Sequence, residues 1–379
     1  MVKRKHTLGK FRKVLSIVAD YASFVDYVFR VYELFGDVED CVSIPRQQLR
    51  DRLNPMEYFT DSEFLARYRF TKSSVKKLLE CLPFEKSCRN RGHPLPPVMQ
   101  LVITLRFYGA GTFQVVMGDL VNASQPTVSR VIERVSRLIA KHLFPAVVNF
   151  PNSDDRFRET MVVFYRIAKF PGVTGCIGCT HVCIKSPGGP NGEVYRNRKG
   201  YFYINVQVIA GPKLQLYDVV SSWLGSVHDS RIFDTSRARV LYEKKRVPGL
   251  LLGDVGYRCT SFFMTPMADP PPNSPESRYQ AAHMRTRNPI ERAFGMWKRR
   301  FPCLDMGLKN LAERSAVITT ACAALHNLAV LRQDAEPPPV IIPQHVRRRQ
   351  PDVANQADTL LGFRCRMQLI TRAFTSPNE

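Results

Sequence analysis

The sequence predicts an α/β protein with a mixed sheet, preceded by an all-helical part that contains a helix-turn-helix. The first observation is that apolar residues before about residue 150 recur at helical spacing, as in Leu101, Leu105 and Tyr108. The second is that short β-rich runs begin after about residue 160. The third is that two helical patterns follow these runs, over about 288–301 and 311–332. Strands joined partly by hairpins and then followed by helices favour a mixed sheet over a doubly wound one.

The composition limits the class of protein. The chain has 379 residues, 44% of them hydrophobic and 23% charged, which excludes a largely disordered protein. No apolar run approaches the ~20 residues of a membrane span, and the basic start lacks the apolar region of a secretory signal. The formal net charge of +22 indicates an anionic partner. Nucleic acid is the simplest candidate, because each neutralised phosphate releases a counterion; a basic surface that serves only solubility is the alternative.

Five segments are expected along the chain: a basic lead at 1–60, a helical DNA-binding domain at 61–150, an α/β domain at 160–335, a Pro-rich and basic linker at 336–353, and a final helix at 354–372. Within the helical domain, Thr71 is expected to cap a helix that runs to about Leu82.

Four strands are predicted in the α/β segment, over 176–184, 202–209, 214–221 and 250–252. A loop at 187–192, rich in Gly, Pro and Asn, joins the first two. It predicts a hairpin connection rather than a phosphate cradle, because the Lys-Ser/Thr ending of a P-loop is absent. Three basic residues after this loop are candidate DNA contacts: Arg196, Arg198 and Lys199.

The segment 112–135 has helix-turn-helix character. Ser124 is an N-cap candidate and Pro126 fits the first turn of the second helix. That helix would bury one stripe, formed by Val128, Val131, Ile132 and Val135. Its opposite face would leave four polar side chains free to contact base edges: Gln125, Thr127, Ser129 and Arg130. An ordinary capped helix hairpin is the alternative, and the net charge favours DNA contact.

Three acidic residues are candidate catalytic and metal-binding groups. Asp254 follows a buried apolar run, Asp229 lies between the third strand and a helix carrying Ile232, Phe233 and Val240, and Glu291 begins a helix with an apolar stripe. Each has a structural alternative: a turn aspartate, an N-cap, and a capping box with Asn288. Together the three carboxylates are expected to bind Mg²⁺ or Mn²⁺, which prefer oxygen ligands. Two such ions ~4 Å apart would activate water and stabilise the leaving oxygen of a phosphodiester.

The ten cysteines are expected to be reduced thiols. Cys179, His181 and Cys183 would share one face of the first strand. These three residues are candidate zinc ligands, and a zinc site here would make the protein a zinc-stabilised interaction module. Alternatively, the thiols are simply small buried side chains.

An ordered set of motifs resembles the PIF/Harbinger transposase family, and above all the animal Harbinger transposase-derived nucleases. The motifs are residues 175–181 (GCIGCTH), 195–201 (YRNRKGY), 204–207 (INVQ), 224–230 (LGSVHDS), 252–257 (LGDVGY), 288–301 (NPIERAFGMWKRRF) and 325–327 (LHN). The resemblance implies an RNase H-like domain with a DDE-type metal site that cleaves DNA phosphodiesters, and strand transfer in active transposases. It implies that Asp229, Asp254 and Glu291 hold the divalent metal, and that 124–135 belongs to the helical DNA-binding part.

The resemblance also implies a nuclear protein with a cytoplasmic pool, which works with a Myb-like DNA-binding partner. Two short basic clusters, 3–5 and 347–349, are candidate import signals.

Two neighbouring positions depart from the family pattern. The family's first aspartate lies in a Cys-Ile-Asp-Gly-Thr-His motif, and its Asp-Gly pair corresponds to Gly178 and Cys179 here. Glycine cannot ligate metal, so weaker metal binding and lower activity are expected, although Cys179 or His181 would offer a softer ligand for Zn²⁺ or Mn²⁺. The sequence therefore predicts a DNA nuclease of transposase descent that is not a full transposase. The alternative is an inactive DNA-binding or adaptor protein that retains the transposase fold.

Overall fold

The computed structural model of the chain describes residues 54–84, 95–111, 123–188, 192–196, 200–338 and 358–375. The lead at 1–53, the first helix of the predicted helix-turn-helix at 112–122, Arg198, Lys199 and the segment 339–357 lie outside the described residues. The predicted second helix is present, and the helix-turn-helix itself stays a prediction, as do the five segment boundaries.

Helices make up the described part that precedes the sheet: α1 (Pro55–Tyr58), α2 (Asp61–Tyr68), α3 (Lys72–Cys81), α4 (Pro97–Ala110), α5 (Gln125–Leu138), α6 (Phe144–Val147) and α7 (Asp154–Ala168). Thr71 caps α3 by accepting a hydrogen bond from the Ser74 backbone, as the sequence predicted. A π-helical turn, Ile139–Leu143, connects α5 to α6. The predicted stripes of α4 and α5 are buried.

The sheet is mixed, as predicted, and has five strands: β1 (Val173–Cys183), β2 (Tyr203–Ala210), β3 (Leu216–Leu224), β4 (Leu250–Leu252) and β5 (Phe263–Met264). Their order is β3-β2-β1-β4-β5. The first three strands pair antiparallel, whereas β4 pairs parallel to both β1 and β5. Four strands match their predicted positions closely. The sequence analysis missed β5, because two residues carry no alternation pattern of their own.

Two predicted helices differ from the structure. In place of the single helix expected after Asp229 there are two short helices, α8 (Asp229–Asp234) and α9 (Arg237–Glu243). The second helix begins separately because the Ser236 side chain caps it, accepting a hydrogen bond from the Arg239 backbone N–H. The helix expected from Asn288 is part of α10 (Pro275–Arg300), which begins at a Ser274 cap and continues through Pro289. The predicted capping box of Asn288 and Glu291 is therefore wrong.

The remaining helices are α11 (Cys303–Met306), α12 (Ala312–Leu331) and α13 (Leu360–Ala373). α12 packs against β3, α5 and the π-helical turn, so the sheet and the preceding helices share one large hydrophobic cluster. Among the described residues, α12 alone is long and apolar enough to cross a membrane, but 61% of its apolar window is buried inside the molecule. A core helix has this character. A smaller cluster, which includes Ile177, Phe233 and Tyr257, covers the opposite face of the sheet.

Candidate active site

The parallel pairing of β1 and β4 brings Gly178 beside Asp254. Cys176 lies opposite Leu252 in this ladder, and Gly178 and Asp254 each follow two residues later. The position of the family's first aspartate and the candidate acid Asp254 are therefore neighbours where β4 ends. This is the edge at which α/β sheets commonly carry their sites.

Helix α10 covers the face of β1 to which Gly178 would direct a side chain. A Cβ atom at Gly178 would lie 3.2 Å from both Ile290 Cγ1 and Phe294 Cε2, and 3.5 Å from Arg287 Nη2. Glu291 lies on the same helix, one turn after Arg287. α10 thus presents both an arginine and the candidate acid Glu291 to this edge of the sheet.

Arg287 contacts two of the three predicted acids. Its Nη2 atom lies 3.0 Å from Glu291 Oε1 and 3.5 Å from Asp254 Oδ2. The arginine side chain is only 18% exposed. Asp254 also accepts a hydrogen bond from the Gly256 backbone through Oδ1, at 2.9 Å, so it forms the turn that the structural alternative predicted. The two carboxylates therefore meet at one cationic nitrogen.

Asp229 occupies a separate, more buried position. Its Oδ1 atom accepts a hydrogen bond from Asn205 Nδ2 at 2.8 Å. Burial raises the pKa of Asp229, the hydrogen bond from Asn205 opposes that rise, and the negative charge of Asp254 adds to it. Asp229 is the first residue of α8 rather than its N-cap, which is His228. The negative charges of Asp229 and Asp254 therefore repel each other, but Asp229 is not one of the acids that pair with Arg287.

The predicted zinc ligands do not form a cluster. Cys179 Sγ lies 3.4 Å from Tyr257 Oη and is hydrogen-bonded to Asp229, and burial raises the thiol pKa. The His181 ring packs on Tyr203, with 4.1 Å between ring centroids. Burial and the charge of Lys298 lower the pKa of His181 to about 4. In the part of the chain that the structure describes, no three His, Cys, Asp or Glu side chains form a group that would hold a metal ion.

The predicted DNA contacts have different environments. Gln125 is exposed, and Arg130 donates to the Pro126 carbonyl and to Thr127 Oγ1. Ser129 is not free, which corrects the prediction: its hydroxyl accepts a hydrogen bond from Arg314 Nη1 of α12 at 2.9 Å. Arg196 pairs with Glu193 at 3.2 Å and lies over the Phe202 ring, with 5.9 Å between the guanidinium carbon and the ring centroid.

The sequence analysis missed a basic row along α5 and the turn that follows it. Four exposed cations, spaced 4, 3 and 4 residues apart, form this row: Arg130, Arg134, Arg137 and Lys141. An open groove of about 560 Å³ runs beside it, lined by Pro83, Arg130, Glu133, Arg134, Arg137, Leu138, Lys141 and His142. The helical spacing was visible in the sequence and predicts a one-sided basic face. The sequence analysis also missed the ion pair of Arg287 and Glu291, whose four-residue spacing on a helix favours such a pair.

Comparison with known proteins shows the family to which the chain belongs. The family model described as "DDE superfamily endonuclease" matches residues 177–327. The chain is 31% identical over 276 residues to "Putative nuclease HARBI1" of Homo sapiens, covering 72% of this chain and 78% of the relative. The chain belongs to the Harbinger transposase-derived nuclease family. The corresponding protein of Rattus norvegicus is 30% identical over 322 residues, covering 83% and 91% of the two chains.

A more distant relative is "Protein ALP1-like" of Arabidopsis thaliana, at 24% identity over 266 residues, covering 65% of this chain and 63% of that relative. No solved structure gives a significant match. The mixed five-stranded sheet with its helices is consistent with the DDE endonuclease fold of the Harbinger family.

DDE superfamily endonucleases use divalent metal ions, and the residues of this Harbinger member do not fit a two-metal centre. Gly178 contributes no carboxylate to such a centre. Asp254 and Glu291 are both paired with Arg287, and Asp229 is hydrogen-bonded to Asn205. The donor set is thus one acid short, and its two convergent acids already have a cationic partner.

Proposed function

We propose that this Harbinger family member retains the endonuclease fold, binds DNA through the basic row along α5 and the following turn, and does not hydrolyse DNA at a useful rate. The observation that carries the proposal is Gly178 at the first acidic position, beside two acids paired with Arg287. Removing one preorganised stabilising group from an active site costs on the order of 10²–10³-fold in rate. A missing carboxylate that would also bind metal is expected to cost at least as much.

The basic row on α5 supports DNA binding. Arg137 pairs with Glu133 at 3.0 Å, but Arg134 and Lys141 have no ion-pair partner among the described residues. A row of exposed cations along one helix face suits the regular spacing of backbone phosphates, and phosphate contacts position a protein without specifying sequence. The net charge of +22 adds a long-range attraction for DNA.

DNA binding is tested by the salt dependence of affinity for a labelled duplex. Each phosphate contact contributes a slope of about −0.9 in log K against log salt concentration. The double variant Arg134→Gln, Lys141→Gln is therefore expected to lose about 2 from the magnitude of this slope. The matched control is Lys244→Gln, Arg246→Gln, which removes the same charge from exposed residues at the end of α9. Equal slopes for the two double variants would contradict binding through the basic row along α5 and the following turn.

Cleavage is tested by nicking of supercoiled plasmid with Mg²⁺ or Mn²⁺. The wild type is expected to be inert, whereas Gly178→Asp is expected to nick DNA, and adding Asp254→Asn to that variant is expected to abolish nicking. The control is Gly178→Ala, because its Cβ meets the same tight contacts with Ile290 and Phe294 but brings no carboxylate. Thermal unfolding shows that each variant is folded. Wild-type nicking comparable to that of Gly178→Asp would refute the proposed inactivity.

A second candidate function is that of a metal-dependent DNA nuclease that uses Asp229, Asp254 and Glu291. The convergence of Asp254 and Glu291 on one cationic nitrogen favours it, because it shows that both carboxylates point to a common place. Wild-type nicking that is lost in Asp254→Asn would establish this candidate. Nicking that persists in Asp254→Asn would rule out the proposed site.

We also infer a nuclear protein with a cytoplasmic pool and a Myb-like DNA-binding partner. The membership of the Harbinger group supports both inferences, and the positive net charge supports a location where DNA is present. The candidate import clusters at 3–5 and 347–349 lie outside the described residues. A fluorescent fusion confined to the cytoplasm would contradict the location. Failure of a Myb-like protein encoded in the same genome to co-purify with the chain would contradict the partner.

A further inference from the structure

Arg287 has an environment that is unusual for a charged side chain on a helix surface. It is 18% exposed, and its Nε atom has no hydrogen-bond partner within the described residues. Its Nη2 atom lies within 3.5 Å of a carboxylate oxygen of both Asp254 and Glu291. The guanidinium is therefore held at the point where the two acids converge.

We propose that Arg287 occupies the cation position of the family's metal pocket, so that this chain neutralises its own acids and excludes divalent metal. A metal ion would have to displace a partly buried cation that is tethered to the site and therefore present at high effective concentration. Two carboxylates against one guanidinium leave a formal charge of −1, which is a weak attraction for an ion that dehydrates reluctantly.

Gly178 lies close to the guanidinium group of Arg287, so a side chain at position 178 would affect that group. The Nη2 atom lies 3.5 Å from the place of a Cβ at Gly178, and a longer side chain there would extend toward the guanidinium. A carboxylate at position 178 would add a third negative charge around Arg287 and compete for its hydrogen bonds. The glycine thus leaves room for the arginine and also removes the charge that would favour a metal in its place.

The test is Mn²⁺ binding, followed by electron paramagnetic resonance at fixed ionic strength, for the full chain. Arg287→Gln is expected to bind one Mn²⁺ on the order of tenfold more tightly than the wild type, a difference of about 1.4 kcal/mol. Adding Asp254→Asn to Arg287→Gln is expected to remove this gain. The matched control is Arg285→Gln, which removes the same charge from an exposed position two residues earlier in α10 and is expected to bind like the wild type.

Two results would overturn the proposal. One is a wild type that binds Mn²⁺ stoichiometrically and loses it on Asp254→Asn. The other is Arg287→Gln that is folded by circular dichroism and gains no Mn²⁺ affinity. If Arg287→Gln does not fold, Arg287→Met replaces it in the measurement, because methionine keeps an unbranched side chain of similar length. The comparison of the wild type with Asp254→Asn remains possible in any case, since it needs no change at Arg287. The measurement involves no DNA, so its outcome is independent of DNA binding and cleavage.

Discussion

Gly178 alters the candidate site both by its missing carboxylate and by the space that it leaves. Asp254 follows the neighbouring strand β4, and Glu291 lies on α10, so both acids are present at the site. Both acids pair with Arg287 of the same chain. Because opposite charges at short range in a partly buried site are screened little, we expect the side chain at position 178 to influence which cation these acids hold.

Asn327 illustrates a motif residue whose role is structural. Its side chain accepts a hydrogen bond from the Leu216 backbone at 2.8 Å and donates to the carbonyls of Leu216 and Val147 at 2.7 and 2.8 Å. It therefore ties α12 to the start of β3 and to the end of α6. The Leu-His-Asn motif that helped to identify the Harbinger family is explained by this tie rather than by chemistry at the acids.

We expect Asn327→Ala to lower the free energy of unfolding by roughly 2–4 kcal/mol, because it leaves buried backbone groups without partners. Urea unfolding measures the change. The control is Asn152→Ala, an exposed amide for which about zero change is expected. A loss of less than 0.5 kcal/mol in Asn327→Ala, a margin of roughly the size seen for surface substitutions, would show that water satisfies these groups instead.

At the scale of single elements, α10 carries Arg287 and Glu291, and its continuity decides their geometry. Pro289 lacks the backbone N–H that would bond to the carbonyl four residues earlier, and an interior proline costs a helix about 3 kcal/mol. The helix nevertheless continues, because Ile290, Phe294 and Trp297 on its following turns are buried against the core. Tertiary packing therefore outweighs the local preference for ending the helix.

The N-caps of α10 and α5 give an internal comparison. Ser274 accepts a hydrogen bond from the Ser277 backbone at 3.1 Å, whereas the Ser124 side chain makes no capping bond and instead contacts Thr127 Oγ1 at 2.9 Å. We expect Ser274→Ala to destabilise the protein by about 1 kcal/mol and Ser124→Ala to have a clearly smaller effect. Thermal unfolding of both variants measures the difference. Equal losses would mean that the cap bond of Ser274 contributes little.

At the scale of the whole molecule, burial sets the protonation of three histidines. Burial lowers the pKa of His181, His283 and His326 to about 4. The rings of His283 and His326 also contact the carbonyls of Met264 and Leu214 through Nε2, at 3.0 and 2.9 Å. Between pH 6.5 and 4 the unfolded chain therefore binds protons that the folded chain does not. Each histidine contributes stability above pH 6.5 that is lost as the pH falls toward 4.

Between pH 7 and pH 5 we expect the free energy of unfolding to fall by about 2 kcal/mol more in the wild type than in His283→Gln. The reason is that only the wild type must keep this buried ring neutral. Urea unfolding at the two pH values measures the difference, and the comparison cancels the other titrating groups. His142→Gln is the control, since that histidine is exposed. If wild type and His283→Gln lose the same stability over this range, the His283 ring is not held neutral in the folded state.

The sequence by itself determined the features that depend on neighbours along the chain. Helical and alternating periods located α3, α5, α12 and four strands, and the order of the motifs identified the Harbinger family. The absence of the first acid was also visible in the sequence, because Gly178 lies inside a motif that matches the family at Cys176, Ile177, Thr180 and His181. These signals are local, since caps and apolar spacing act over a few residues.

Only the tertiary structure decided which distant side chains meet. It extended α10 through Pro289, paired Ser129 with Arg314, and placed Arg287 between Asp254 and Glu291. It also added β5, which forms only because β4 offers a parallel neighbour. The physical reason is that a contact between residues far apart in sequence depends on how whole helices and strands pack. The packing energy comes from many residues, so the few residues in contact do not predict it by themselves.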